Sequence, residues 1–173
     1  MPDCVFCGIV EGKIPGFKVF EDELSIAFLD INPANKGQVI LTTKKHVQGI
    51  HELSPGDAGK LFTNARLIIL AMSQVLGCGG VNIVYALGEL AGQRLDHLLV
   101  YLIPRFKGDK VVLDWDRKQA DPNELKTTAE SLSKGIKAIP VIVSGPPKPK
   151  VIELPVDEPK DDALIRKPRI PFY

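Results

Sequence analysis

The sequence predicts an α+β domain with a mainly antiparallel sheet and one long helix, on three observations. Short β-rich runs follow one another at residues 17–20, 24–29 and 38–43. One long segment repeats apolar residues at helical spacing, from Ala58 through Leu61, Phe62, Ala65, Ile68, Ile69, Met72 and Val75 to Leu76. Strand-like runs then return at residues 81–87 and 97–105. Strands, then a helix, then strands again, without a regular strand–helix alternation, is the order of an α+β fold.

Each element has a local reason. The first two runs are separated only by Glu21-Asp22-Glu23, which reads as a hairpin. Residues 31–37, INPANKG, form a loop by composition, and the third strand leads into Lys44-Lys45-His46. Ser54-Pro55-Gly56-Asp57 starts the long helix: Ser54 caps, Pro55 suits the first turn, and Asp57 completes a capping-box-like pattern. Gly77 with Gly79-Gly80 ends it, and Cys78 lies in that turn. After a loop at residues 88–93 comes HLLVYLIPR, residues 97–105. Alternation puts His97, Leu99 and Tyr101 on one face and Leu98, Val100 and Leu102 on the other, with a turn expected at Ile103-Pro104-Arg105.

Beyond Arg105 the character changes. Asp121-Pro122-Asn123-Glu124 starts a second helix with Leu125, Ala129, Leu132 and Ile136 on one face. From Pro140 onward eight prolines and alternating charges describe a tail that cannot bury enough surface to fold alone. The expected division is a domain over 1–107, an extension with a helix over 108–139, and a Pro-rich tail over 140–173, in which Phe172 and Tyr173 are candidate anchors.

Composition narrows the function classes. At 173 residues and 45% hydrophobic content there is room for one domain with a good core. A net charge of +1 leaves no polyanion footprint, so nucleic acid is not implied. No apolar run approaches a membrane span, and the N-terminus has neither a basic start nor a cleavable apolar segment; the expected location is the cytoplasm. Three cysteines is an odd count, and Cys4-x-x-Cys7 without export signals favours a metal or redox role over a disulfide.

That spacing lets two thiolates of one turn grip a tetrahedral metal. Two further ligands must come from His46, His51 and His97, the three histidines present. His46 ends one strand and His97 lies on another, where rigid elements aim them, whereas His51 is expected to be a solvated surface residue. Cys4, Cys7, His46 and His97 would close a zinc site and leave no position for a catalytic water, which makes the metal structural.

These residues carry a resemblance. The chain resembles the histidine-triad (HIT) superfamily, in the branch of small nucleotide hydrolases and transferases related to protein kinase C-interacting proteins. It rests on Cys4-Val5-Phe6-Cys7, Ile9-Val10 with Ile14-Pro15, Phe28-Leu29-Asp30-Ile31-Asn32-Pro33 with Gly37, and Lys44-Lys45-His46. Val81-Asn82-Ile83, Gly88, Ala91-Gly92-Gln93, and His97 before Ile103-Pro104-Arg105 complete it. The resemblance implies a five-stranded sheet with a long helix, and in zinc-bearing members the metal is held by residues matching those four. It also implies a nucleotide pocket in which Asp30 meets ribose hydroxyls and Val5, Phe6, Phe28, Ile31 and Ile40 receive the base. Gln93 and Arg94 stand near the phosphate, and the ligand expected is a purine nucleotide.

The departure is as informative. The family motif is His-x-His-x-His, its middle histidine attacking the α-phosphate and its third positioning the phosphate; here those positions are Leu99 and Tyr101. Leucine has no lone pair and serves neither as nucleophile nor as base. Gln38, Arg94 and Ala86 stand where many relatives have a histidine, a serine and an asparagine. Tyr101, with a phenol pKa of ~10, lacks an evident base. The expectation is therefore no catalytic residue, and a zinc-stabilised, non-catalytic nucleotide-binding or adaptor protein. The alternatives are a nucleotide phosphoramidase, hydrolase or transferase working by an altered route, and a structural subunit paired with an active HIT protein. Partners expected are a homodimer or a heterodimer with another HIT-like chain, with the tail as a docking element and no membrane.

Overall fold

The expected hairpin forms between β1 (Lys18–Glu21) and β2 (Ser25–Leu29), which pair antiparallel. Asp22 closes its turn by accepting from the N–H groups of Leu24 at 3.0 Å and Ser25 at 2.8 Å. The computed structural model describes residues 4–139; the proline-rich tail over 140–173, with its closing aromatics, lies outside the described residues. Upstream of the hairpin is a short helix α1 (Val5–Val10), and downstream are β3 (Val39–Thr43), α2 (Pro55–Leu76), β4 (Gly80–Tyr85), β5 (Leu99–Arg105) and α3 (Pro122–Ala138). The five strands make one antiparallel sheet in the order β1-β2-β3-β5-β4. Among the described residues no helix is long and apolar enough to cross a membrane.

Side-chain alternation divides this sheet between two helices. Ala27, Val39, Leu41, Val100 and Leu102 face α2 and pack with its Leu61, Ala65, Ile68 and Met72. Ile26, Phe28, Ile40, Leu99, Tyr101 and Ile103 face the other way, where Phe6 of α1 covers them. The two faces read from residues 97–105 are therefore both core faces.

α2 begins as its sequence dictates. Ser54 accepts from the Asp57 N–H at 3.1 Å, and Gly77 ends the helix at φ 61°, where a Cβ would be strained. Its buried stripe is narrower than the apolar spacing suggests, because Phe62 and Val75 are exposed. Asn64 takes a place in that stripe instead, its amide donating to Asp22 at 2.7 Å and Ser25 at 2.9 Å. A buried amide is tolerated there because both partners are supplied by the β1–β2 turn.

The turn expected at Ile103-Pro104-Arg105 is not formed; β5 continues through Arg105, which pairs with Gly80. Proline fits because the β3–β5 ladder stops at Leu102, so Pro104 has no partner strand on that side to miss its N–H. Its carbonyl is taken instead by the Asn35 amide at 2.8 Å. His97, expected within the strand, sits just before β5 begins.

Arg105 then fastens the chain that leaves the sheet. It donates to both oxygens of Asp109 at 2.7 and 2.8 Å, to Asn82 of β4 at 2.7 Å and to the Val111 carbonyl at 2.6 Å. Asp109 also accepts from Asn35 at 2.9 Å and from the Phe106 N–H at 2.9 Å. The Arg105 hydrogen bond, with those N–H groups, holds the Asp109 carboxyl well below the usual carboxylate range. Its stabilisation is thus present above the ordinary carboxylate pKa and is lost as the pH falls through the lowered one. Arg105→Ala is expected to cost about 2–3 kcal/mol near neutral pH by leaving these acceptors unpaired. In urea unfolding at a series of pH values, the gap between parent and variant should narrow in strong acid to the share carried by Asn82 and the Val111 carbonyl; a gap that is the same at every pH would refute the assignment.

Candidate metal centre and adjoining pocket

The four expected ligands meet at the end of the sheet. Cys4 is the residue before α1 and Cys7 lies in its first turn, while His46 follows β3 and His97 precedes β5. Backbone hydrogen bonds bring the last two together, the Leu98 N–H donating to the Val47 carbonyl at 2.7 Å. The Thr42 hydroxyl adds a bond to the Leu98 carbonyl at 2.6 Å. Phe6 drops from α1 onto Phe28, with ring centroids 5.9 Å apart, and meets the edge of His97 at 5.9 Å.

Ligand atoms from Cys4, Cys7, His46 and His97 all lie within 4.8 Å of one another. His97 Nδ1 is 3.3 Å from Cys4 Sγ and 3.8 Å from Cys7 Sγ, and His46 Nδ1 is 3.1 Å from Cys7 Sγ. Tetrahedral zinc with ordinary Zn–S and Zn–N bonds has S···N edges of about 3.5 Å, so the spacing suits one ion held by all four. The His97 Nε2 lies 3.1 Å from the Thr43 carbonyl, which only accepts; the proton therefore sits on Nε2 and Nδ1 turns its lone pair to the thiols. At 1% exposure, burial holds His97 below the usual imidazole range, against the pull of the Thr43 bond, and keeps the ring neutral. Burial, then the neighbouring Cys4, pushes the Cys7 thiol up, a strain that a cation between the sulfurs relieves. His51 is elsewhere, on a single 3-10 turn at Ile50–Glu52, and is half-buried rather than solvated.

The residues expected around a nucleotide are only partly together. Phe6, Phe28 and Ile40 are buried in one cluster, whereas Val5 and Ile31 are exposed. Asp30 is buried beside them and already partnered: Gln38 donates to one oxygen at 2.6 Å and the Asn32 N–H to the other at 2.9 Å. Burial raises the Asp30 pKa from its ordinary value, and those two hydrogen bonds oppose the rise. Gln38 in turn accepts from the Ala34 N–H at 2.9 Å, so it latches the β2–β3 loop across the carboxylate. Gln93 likewise serves its own loop, accepting from the Gly88 N–H at 2.7 Å and donating to the carbonyls of Gln48 at 2.8 Å and Leu95 at 3.0 Å. Arg94 is exposed.

Leu99 and Tyr101 are 8% and 6% exposed and belong to the same cluster as Phe6 and Phe28. The space left between them, His97 and Arg94 is a cavity of about 20 Å³. That holds about one water molecule, and a larger open cavity of about 770 Å³ shares Gly92, Gln93 and Arg94 with it. The Gln38–Asp30 latch and the Thr43 carbonyl behind His97 have no sequence signal, since both join residues through the sheet.

A model of the HIT domain matches residues 11–108. The adenosine 5'-monophosphoramidase of Schizosaccharomyces pombe is 32% identical over 135 residues, covering 78% of this chain and 98% of that protein. A crystal structure from Streptococcus mutans superposes with a TM-score of 0.75 at 38% identity, over 79% of this chain and 87% of that one. A Zn-bound histidine triad family protein from Mycobacterium smegmatis does so with a TM-score of 0.61 at 28% identity, over 77% of this chain and 97% of that one. Matched by the domain model across its whole sheet and α2, the chain belongs to the HIT family.

Proposed function

We propose that this protein is a zinc-stabilised HIT protein without nucleotidyl-transfer chemistry, acting as an adaptor. The observation that carries the reading is the burial of Leu99 and Tyr101 in the apolar cluster, at the two strand positions where the family motif has its second and third histidines. Leucine cannot attack phosphorus or accept a proton, and the cavity directly beside it is only about 20 Å³. Zinc, when bound, cross-links α1 to the sheet. Cys4 and Cys7 hold it from one side and His46 and His97 from the other, with Thr43 orienting His97. Four protein ligands leave it no reactive position.

A second reading keeps a nucleotide as signal. Asp30 beside Phe6, Phe28 and Ile40 is the acid and apolar pairing that suits a ribose and a purine, with Val5 and Ile31 at its rim. Binding there requires Gln38 to release Asp30. The S. pombe relative's name makes adenosine 5'-monophosphate the first ligand to try. As partner we propose another HIT chain, identical or not, joined at the open edge of β4, where Ile83 is exposed.

Calorimetric titration of metal-analysed protein with adenosine and guanosine monophosphates tests the division. No saturable heat is the expected result for an adaptor. Saturable heat without turnover would make the protein a nucleotide sensor, and turnover would overturn both readings.

A further inference from the structure

Cys4 and Cys7 have a second chemistry open to them besides holding a metal. Cys4 is the residue before α1, and its carbonyl accepts a hydrogen bond from the Gly8 N–H at 3.0 Å. Cys7 follows three positions later, so the two side chains lie on the same side of the first turn. Their sulfurs lie within 4.8 Å of each other. Cα atoms three apart in a helical turn fall within the span of a disulfide, and rotation about the side-chain bonds brings the sulfurs together. Phe6, between them in sequence, points into the core at 5% exposure. The cysteines are half-buried, whereas His97 is closed off from solvent. A small oxidant therefore reaches the sulfurs and not that imidazole. We infer that Cys4 and Cys7 form a peroxide-sensitive dithiol, whose oxidation to a disulfide releases α1 from the sheet.

The reaction balances on these two residues and hydrogen peroxide. One sulfur attacks the O–O bond and becomes a sulfenic acid as water leaves. The other sulfur then displaces the sulfenic oxygen as a second water. Two thiols and one peroxide give one disulfide and two waters, and two electrons pass from sulfur to oxygen. Zinc, when bound, keeps both sulfurs as thiolates, the nucleophilic form, and the two protons then come from solvent. The geometry makes this oxidation a release and not a reinforcement. Through the cluster Cys4 meets His97 and Cys7 meets His46, ties that span 93 and 39 residues. The disulfide spans three positions. The worth of a cross-link grows with the loop it closes, so the short loop does not replace the long ones. α1 is then left with one buried side chain, Phe6, and no side-chain cap. Lifting it uncovers Phe28, Ile40 and Leu99. Cys78, in the turn after α2, is not part of the cluster.

The inference rests on the metal part of the reading above, and the experiment separates the two. The full chain is assayed for bound zinc, then treated with hydrogen peroxide and followed by peptide mass spectrometry, zinc release and thermal unfolding. The peptide spanning residues 1–13 is expected to lose two hydrogens while the bound zinc is set free. The melting temperature should fall by on the order of 10 °C, and dithiothreitol with zinc should restore it. Cys78→Ser is expected to change none of this. Cys4→Ser should melt low from the start and fall no further with peroxide. Cys4 and Cys7 that stay reduced, a disulfide between chains, or a disulfide that leaves zinc and melting unchanged would each overturn the inference. Protein without zinc at the outset refutes the metal assignment alone, and disulfide formation with its melting shift then decides the inference.

Discussion

Replacing Cys7 with serine is expected to remove stoichiometric zinc and to lower the melting temperature by on the order of 10 °C, a loss of about 3–4 kcal/mol. The reason is how little else holds α1. It is six residues long, has no side-chain cap, and buries only Phe6. Such a helix does not persist on propensity, and its attachment runs through Cys4 and Cys7 to His46 and His97. Loosening it also uncovers Phe28, Ile40 and Leu99, so the loss extends into the core. Metal analysis and thermal unfolding, each with and without a strong chelator, check this. The chelated parent should melt with the variant, and a parent indifferent to chelation would mean that the four residues hold no structural metal.

Leu99→Ala is expected to cost about 2–4 kcal/mol in urea unfolding, the range for a buried leucine whose surroundings cannot collapse. This position separates a packed core from a vestigial pocket. Leu99 pairs with Thr42 in the sheet and shares its cluster with Phe6, Ile40 and Tyr101. The cavity that touches it is about 20 Å³. If the site were an open ligand pocket with a leucine on its wall, the same truncation would cost well under ~1 kcal/mol, since little apolar area would leave contact. A small loss would therefore count against the adaptor reading and for a ligand site.

The parts legible in the sequence are those fixed by short-range periodicity. The alternation in residues 97–105 named both faces of β5, and Ser54 with Asp57 placed the start of α2 to the residue. The cysteine and histidine cluster was legible for a different reason. A Cys-x-x-Cys turn needs two more ligands, and two of three histidines sat beside rigid strands. What escaped depends on long-range partners. Asn64 interrupts an apolar stripe because Asp22 and Ser25, 42 and 39 residues earlier, satisfy it. Pro104 stays in a strand because its neighbour strand ends two residues short, which only the register shows. α1 has no helix signal of its own, and Gln38 reaches Asp30 across a loop. The apolar face of α3 was legible, but period alone does not tell which surface it covers.

The central claim is that the HIT scaffold persists here without its chemistry. It is tested most directly by incubating the zinc-loaded full chain with adenosine 5'-phosphoramidate and measuring release of ammonia and adenosine monophosphate, with mass spectrometry for a nucleotidyl-enzyme adduct. The account predicts no release above the protein-free blank and no adduct. Release that follows the purified protein and disappears in Tyr101→Phe would contradict it, and would assign the chemistry to the phenol.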